Sequence, residues 1–83
     1  MVRVRDTNKM IFEGNVDRIT SYNEVGQFDI YPMHANFISI LKKGLMLYKD
    51  HQKLLDIKFE QAILKIKKDV VGIYVGIEEL VVE

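Results

Sequence analysis

Cysteine is absent from the sequence, so no disulfide, thiolate metal site or thiol nucleophile can be built from it. A small core held without such staples fits a reducing compartment. Proline occurs once, at Pro32, and halts the extended run before it. No charge of one sign is in excess: twelve Lys and Arg residues balance twelve Asp and Glu. That balance argues against a nucleic-acid binder, whose affinity rests on neutralising phosphates with surplus cations. Long hydrophobic runs are also missing. The longest, Val70 to Ile77, contains two glycines and is far shorter than the ~20 residues a membrane-crossing helix needs. The opening Met1-Val2-Arg3-Val4-Arg5 lacks the apolar block of a signal peptide. What is present is an 83-residue chain, 48% hydrophobic, enough for one core and too short for a second. A domain of this size buries only about 60–65% of the surface its unfolded chain exposes, so a large permanent partner would add to its stability.

The periodicity is that of strands. Val2-Arg3-Val4-Arg5 alternates apolar with charged residues and puts both valines on one face. Met10-Ile11-Phe12-Glu13 runs into Gly14-Asn15, a pair suited to a turn or bulge, and Val16 to Thr20 continues extended. After the polar loop Tyr22 to Gln27, Phe28-Asp29-Ile30 alternates again and stops at Pro32. Met33, Phe37 and Leu41 fall at helical spacing. An extended reading serves as well, with Ala35, Phe37 and Leu41 on one face and Ile38 and Ile40 on the other, and the Phe, Ile and Ser content favours the strand, buried on both sides. Leu45 to Tyr48 and Leu54 to Phe59 flank a hairpin connection, Lys49-Asp50-His51-Gln52-Lys53. Leu55-Asp56-Ile57-Lys58-Phe59 has its apolar residues at odd numbers and Leu64-Lys65-Ile66-Lys67 at even ones, so the buried face must switch near Glu60-Gln61-Ala62. Lys68-Asp69 makes the last turn and Val70 to Val75 the last strand, placing one β domain over residues 1–76 and a tail or final strand over 77–83. The class is all-β: a small antiparallel sandwich of about eight to ten strands.

Few residues could carry chemistry. His34 and His51 are the groups that titrate near neutrality, and neither has a partner at catalytic or zinc-ligand spacing. His51 reads as a solvated hairpin residue and His34, just after Pro32, as a hydrogen-bonded corner. The sequence offers no nucleophile elbow, no phosphate loop and no paired acid and base, hence no catalytic residue, cofactor, metal ligand or small-molecule substrate. Glu78, Glu79 and Glu83 read as a solvated terminus. The lysines, including Lys42, Lys49, Lys65 and Lys67, read as edge protection. Phe12, Phe28, Phe37 and Phe59 recur one per strand region, as core residues do.

Two stretches carry a resemblance: Phe12-Glu13-Gly14-Asn15-Val16-Asp17-Arg18-Ile19-Thr20 and Gly26-Gln27-Phe28-Asp29-Ile30-Tyr31-Pro32-Met33-His34-Ala35. Their order and spacing resemble the N-terminal β-sandwich of the epsilon subunit of F-type ATP synthase. That family typically reads phenylalanine, any residue, glycine, any residue, valine, then after a glycine loop isoleucine, any residue, proline, any residue, histidine, alanine, an apolar strand and glycine. Here Ile38, Leu41 and Gly44 continue the pattern, and the similarity extends from Val2 to about Val75.

The resemblance implies a non-catalytic rotor subunit on the central stalk of a proton- or sodium-driven enzyme. Its partners would be the gamma subunit and the membrane c-ring, with no nucleic acid and no direct membrane insertion. It would sit peripherally on the cytoplasmic face of a bacterial inner membrane, with an organellar membrane as the alternative. Val25, Gly26 and Gln27 carry over as the loop facing the c-ring, and His34 as a stalk-end residue. Phe12, Gly14, Pro32, Ala35 and Gly44 carry over as motif positions. Family members usually add a C-terminal helical hairpin, so the resemblance is to a short or truncated form. Two positions depart from the family: Gln61-Ala62 replaces a glycine pair, and Asp29 stands where glycine is usual, which requires that face of the strand to be wet. The rival is an adaptor sandwich with another partner; a rotor subunit should expose an apolar patch, whereas a small-molecule binder should show a lined pocket.

Overall fold

Alternation this regular leaves extended chain as the way to bury one side of each segment, and strands are what form. The computed structural model describes residues 1–32 and 36–76. These residues make seven strands: β1 (Val2–Arg5), β2 (Met10–Gly14), β3 (Arg18–Tyr22), β4 (Gln27–Ile30), β5 (Phe37–Lys49), β6 (Gln52–Lys67) and β7 (Val70–Val75). They hydrogen-bond in the order β2-β1-β7-β6-β5-β3-β4. Neighbours pair antiparallel except β1 and β7, which are parallel. The sheet is therefore mixed rather than purely antiparallel. The parallel pair arises because the N-terminal strand slots between its hairpin partner β2 and the last strand, joined to β7 only through the rest of the chain.

β5 and β6 are 13 and 16 residues long, well beyond an ordinary strand of about five or six. They stay that long by bending. Between Lys42 and Gly44 the partner on β6 moves from Gln61 to Lys58, so β6 carries an extra residue there. Lys43 (φ 72°) and Gly44 (φ 154°) take up the distortion on β5. On β6 the inward residues change from Leu55, Ile57 and Phe59 to Ala62, Leu64 and Ile66 across this bulge, the face switch the sequence predicts.

The bend folds the sheet into two layers. The halves of β5 and β6 nearest their shared turn join β3 and β4 in one layer; the other halves join β7, β1 and β2 in the second. Seven continuous strands thus supply four strand segments to one layer and five to the other, since β5 and β6 serve both. The count of eight to ten reads those halves as separate strands. Between the layers Ile19, Leu45 and Leu47 meet Val2, Val4, Leu64 and Ile73, all at most 1% exposed. Phe12, Phe28 and Phe59 pack against this core from its rim. Phe37 does not: it opens β5 before β3 has joined the layer and is 44% exposed.

Two glycines have specific jobs. A Cβ on Gly44 would run into the carbonyl oxygen of Ile57 and come within 3.2 Å of the Lys58 Cα. The Gly44 carbonyl also accepts a buried hydrogen bond from Ser21 Oγ at 2.7 Å, tying the bend to β3. At Gly14 the ring of Phe12 lies so close that a Cβ would meet it at 3.2 Å, which explains why a phenylalanine and a glycine two residues apart go together.

Candidate partner surface

The loop joining β3 to β4 is built around Asn23. Its side-chain oxygen accepts from the backbone N–H of Val25 at 2.8 Å and of Gly26 at 3.1 Å, while its own N–H donates to the Gly26 carbonyl at 2.9 Å. Gly26, at φ 145°, closes the turn in a conformation that L side chains rarely adopt. The consequence is a braced loop whose tip is an aliphatic side chain: Val25 is 95% exposed. Standing next to the exposed Ile38 and Ile40 along one groove, Val25 is a candidate contact as part of that apolar patch. Gln27 begins β4 beside it and is also exposed.

An open groove runs from this loop along the outside of the second layer, lined by Val25, Ile38, Ile40, Lys42, Gln61 and Ile63. Leu41 points into the core, so its alternate neighbours on β5 face outward. Ile38 and Ile40 are 52% and 50% exposed. The sequence reading buries both faces of this strand, and the structure corrects it: no strand among the described residues covers the outer one. Ile63, opposite Ile40 in register, lies on the same face but is only 4% exposed, so the open part of the strip is Ile38 and Ile40. Lys42 reaches the Glu24 carboxylate at 3.8 Å across the groove mouth; both side chains are solvated, so the pair adds little.

The sequence-predicted site positions separate into two groups. Val25, Gly26 and Gln27 come together at the loop tip and the start of β4. Phe12, Gly14 and Gly44 shape β2 and the bend, and Pro32 is half-buried after β4. His34 and Ala35 lie outside the described residues, as does the 77–83 tail. His51 stands exposed at φ 65° in the β5–β6 turn with Asp50 at φ 51°, the mirror-image two-residue turn that matches sheet twist. Gln61 and Ala62 are accommodated without strain: Ala62 enters the core opposite Leu41, and the Gln61 carbonyl accepts from the Gly76 N–H at 3.2 Å. Asp29 lies on a wet face, where it accepts from Thr20 Oγ1 at 2.7 Å. Edge protection does not account for Lys65, which is paired on both sides, with Ile38 on β5 and Gly72 on β7.

Among the described residues two titrating groups are shifted, both at the surface and away from the loop. The N–H groups of Asn8 and Lys9 donate to Asp6 and hold its carboxyl below the usual range, and the hydrogen bond and charge of Asp56 raise Lys53. Among the described residues no cluster of His, Asp or Glu converges as a metal site, and no helix is long and apolar enough to cross a membrane.

Comparison with known proteins agrees with this geometry. Residues 1–79 match the family described as ATP synthase, Delta/Epsilon chain, beta-sandwich domain. The ATP synthase epsilon chain of Geobacter sulfurreducens is 30% identical over 71 residues, covering 86% of this chain and 51% of its own. That of Leptospira borgpetersenii is 29% identical over 72 residues, covering 87% and 57%. The chain therefore spans about half the length of the curated relatives it matches. Among solved structures, a chain of the Euglena gracilis mitochondrial ATP synthase (OSCP/F1/c-ring) superposes with a TM-score of 0.74 at 15% identity, covering 89% of this chain and 48% of that one. A chain of the Tetrahymena thermophila mitochondrial ATP synthase central stalk and c-ring gives 0.69 at 17%, covering 89% and 60%. With the family model matched over nearly its whole length, the chain belongs to the Delta/Epsilon chain family of ATP synthase through its β-sandwich domain.

Proposed function

We propose that this sandwich is a non-catalytic element of the central stalk of an F-type ATP synthase, holding the gamma subunit and the c-ring together as they turn. The observation that carries it is the braced loop with Val25 at its tip, continuous with the apolar strip of Ile38 and Ile40. Torque transfer needs contacts that do not yield, and a loop whose backbone is tied to its own Asn23 suits that better than a mobile one. The strip offers gamma an apolar surface on a strand already fixed by β6, so little ordering entropy is lost on docking. The loop tip meets the polar loops of the ring, and the domain lies at the cytoplasmic membrane face as a peripheral part of the complex. The relatives' names and the stalk and c-ring assemblies in which the structural neighbours occur support this reading.

Cysteine scanning tests the loop. Since the chain has no native cysteine, Val25→Cys and Gln27→Cys each give a unique thiol. In the assembled enzyme both should crosslink to a cysteine in the c-ring loop, while a cysteine at Asp50, in the turn between β5 and β6, should not. Crosslinking from Asp50 alone would reverse the orientation, and none from Val25, Gly26 or Gln27 would remove the ring contact.

A further inference from the structure

Five of the twelve cationic side chains gather around one hollow on the outer face of β1, β7 and β6: Arg3, Arg5, Lys65, Lys67 and Lys68. The register explains its shape. Arg3 stands opposite Gly72, which stands opposite Lys65; Arg5 is opposite Tyr74, and Lys67 is opposite Val70. Two rims of cations, on β1 and β6, therefore flank a central strand that bears no charge. Gly72 has no side chain to raise the floor, and the phenol of Tyr74 lies across it, with Oη 2.9 Å from where a Cβ would stand. Neighbouring strands are about 4.8 Å apart, so the rims stand ~10 Å apart, and cations two residues apart on one strand are spaced ~6.8 Å.

No acidic residue is among the described residues lining the hollow; Glu13 reaches Arg3 from β2 at 2.8 Å, with both side chains about half exposed. Edge protection does not account for Arg3, Arg5 and Lys65, each of which is paired on both sides; Lys67 and Lys68 continue the rim into the turn after β6. Gathering like charges on one face costs stability unless an anion answers them.

We infer that this hollow is a docking site for an extended acidic segment of a partner protein, its carboxylates on alternate residues. An extended chain repeats its side chains at the same ~6.8 Å as the rims, so successive carboxylates meet successive cations. A lone phosphate would engage only some of the five cations, whereas an extended chain can answer both rims along their length. A single-stranded nucleic acid would call for surplus positive charge and several aromatic platforms, whereas the chain is neutral overall and the hollow holds Tyr74 alone. The hollow adjoins the apolar strip, Lys65 being opposite Ile38 and Tyr74 opposite Ile63, so one partner can seat apolar side chains on β5 and carboxylates over β7. The inference does not depend on the rotor assignment.

The test is titration of the whole chain with a capped ten-residue peptide of alternating glutamate and threonine, followed by amide NMR shifts at low salt. Saturable one-to-one binding should perturb Lys65, Gly72 and Tyr74. The double variant Arg5→Gln, Lys67→Gln should weaken it about tenfold, and raised salt should weaken it further. Lys65→Gln alone should cost about threefold and serves should the double variant lose the native spectrum. Equal binding by the wild type and a folded variant, equal binding of a lysine–threonine peptide, or tighter binding of pyrophosphate or oligothymidylate would overturn the inference. So would absence of saturable binding.

Discussion

The two halves of β5 obey different rules. From Gly44 to Lys49 the strand is paired on both sides, with β3 and β6, and its alternate residues Leu45 and Leu47 are buried. From Phe37 to Leu41 it is paired with β6 alone, and Phe37, Ile38 and Ile40 stand in water to about half their surface. The Phe37 half is at least as apolar as the Gly44 half, so hydrophobicity alone does not say which residues fold the domain. In the Gly44 half the side chains are spent on the core. In the Phe37 half the outward isoleucines have no role within the described sandwich, which is what a surface awaiting another subunit looks like.

The comparison can be broken most severely in the core half. Leu47→Ala should cost about 3 kcal/mol, read by urea unfolding, because it empties a fully enclosed site. Gly44→Ala should cost about 2–3 kcal/mol by the same measurement, since the new Cβ meets the Ile57 carbonyl and the bend must open. Ser21→Ala leaves the buried Gly44 carbonyl without its side-chain donor and should cost about 1–2 kcal/mol. In the partner half, Ile40→Ser should change stability by less than about 0.5 kcal/mol. Asp6→Asn sets the lower end of the scale. The folded carboxyl is held low, so its stabilisation is present above the ordinary carboxylate pKa and is lost as pH falls through the lowered value. The wild type should therefore keep a small advantage over the variant at neutral pH that vanishes in acid.

Much of this was legible from alternation. The bounds of β1 and β7, the Lys68-Asp69 turn between β6 and β7, and the face switch near Gln61 follow from which numbers carry apolar residues. Period two says which side chains share a face and not whether another layer covers it. Whether Ile38 and Ile40 are buried depends on where distant strands pack, and no local pattern encodes that. The same gap hid the cationic hollow, since Arg3-Val4-Arg5 and Lys65-Ile66-Lys67 are 60 residues apart and meet only because β7 inserts between them. The continuity of β5 and β6 was obscured by the bulge, which interrupts each alternation. The loop was the most legible part of the site, because Asn23 and Gly26 advertise a turn, although the exposure of Val25 required the structure.

The most direct test is calorimetric titration of the gamma subunit from the same organism with this chain and, in parallel, with the Ile38→Ser, Ile40→Ser variant. The account predicts one-to-one binding with a negative heat-capacity change for the chain as it is, and binding at least about tenfold weaker for a variant with an unchanged unfolding curve. Equal binding by both would move the gamma contact off the β5 strip, and no binding by either would contradict the stalk role itself.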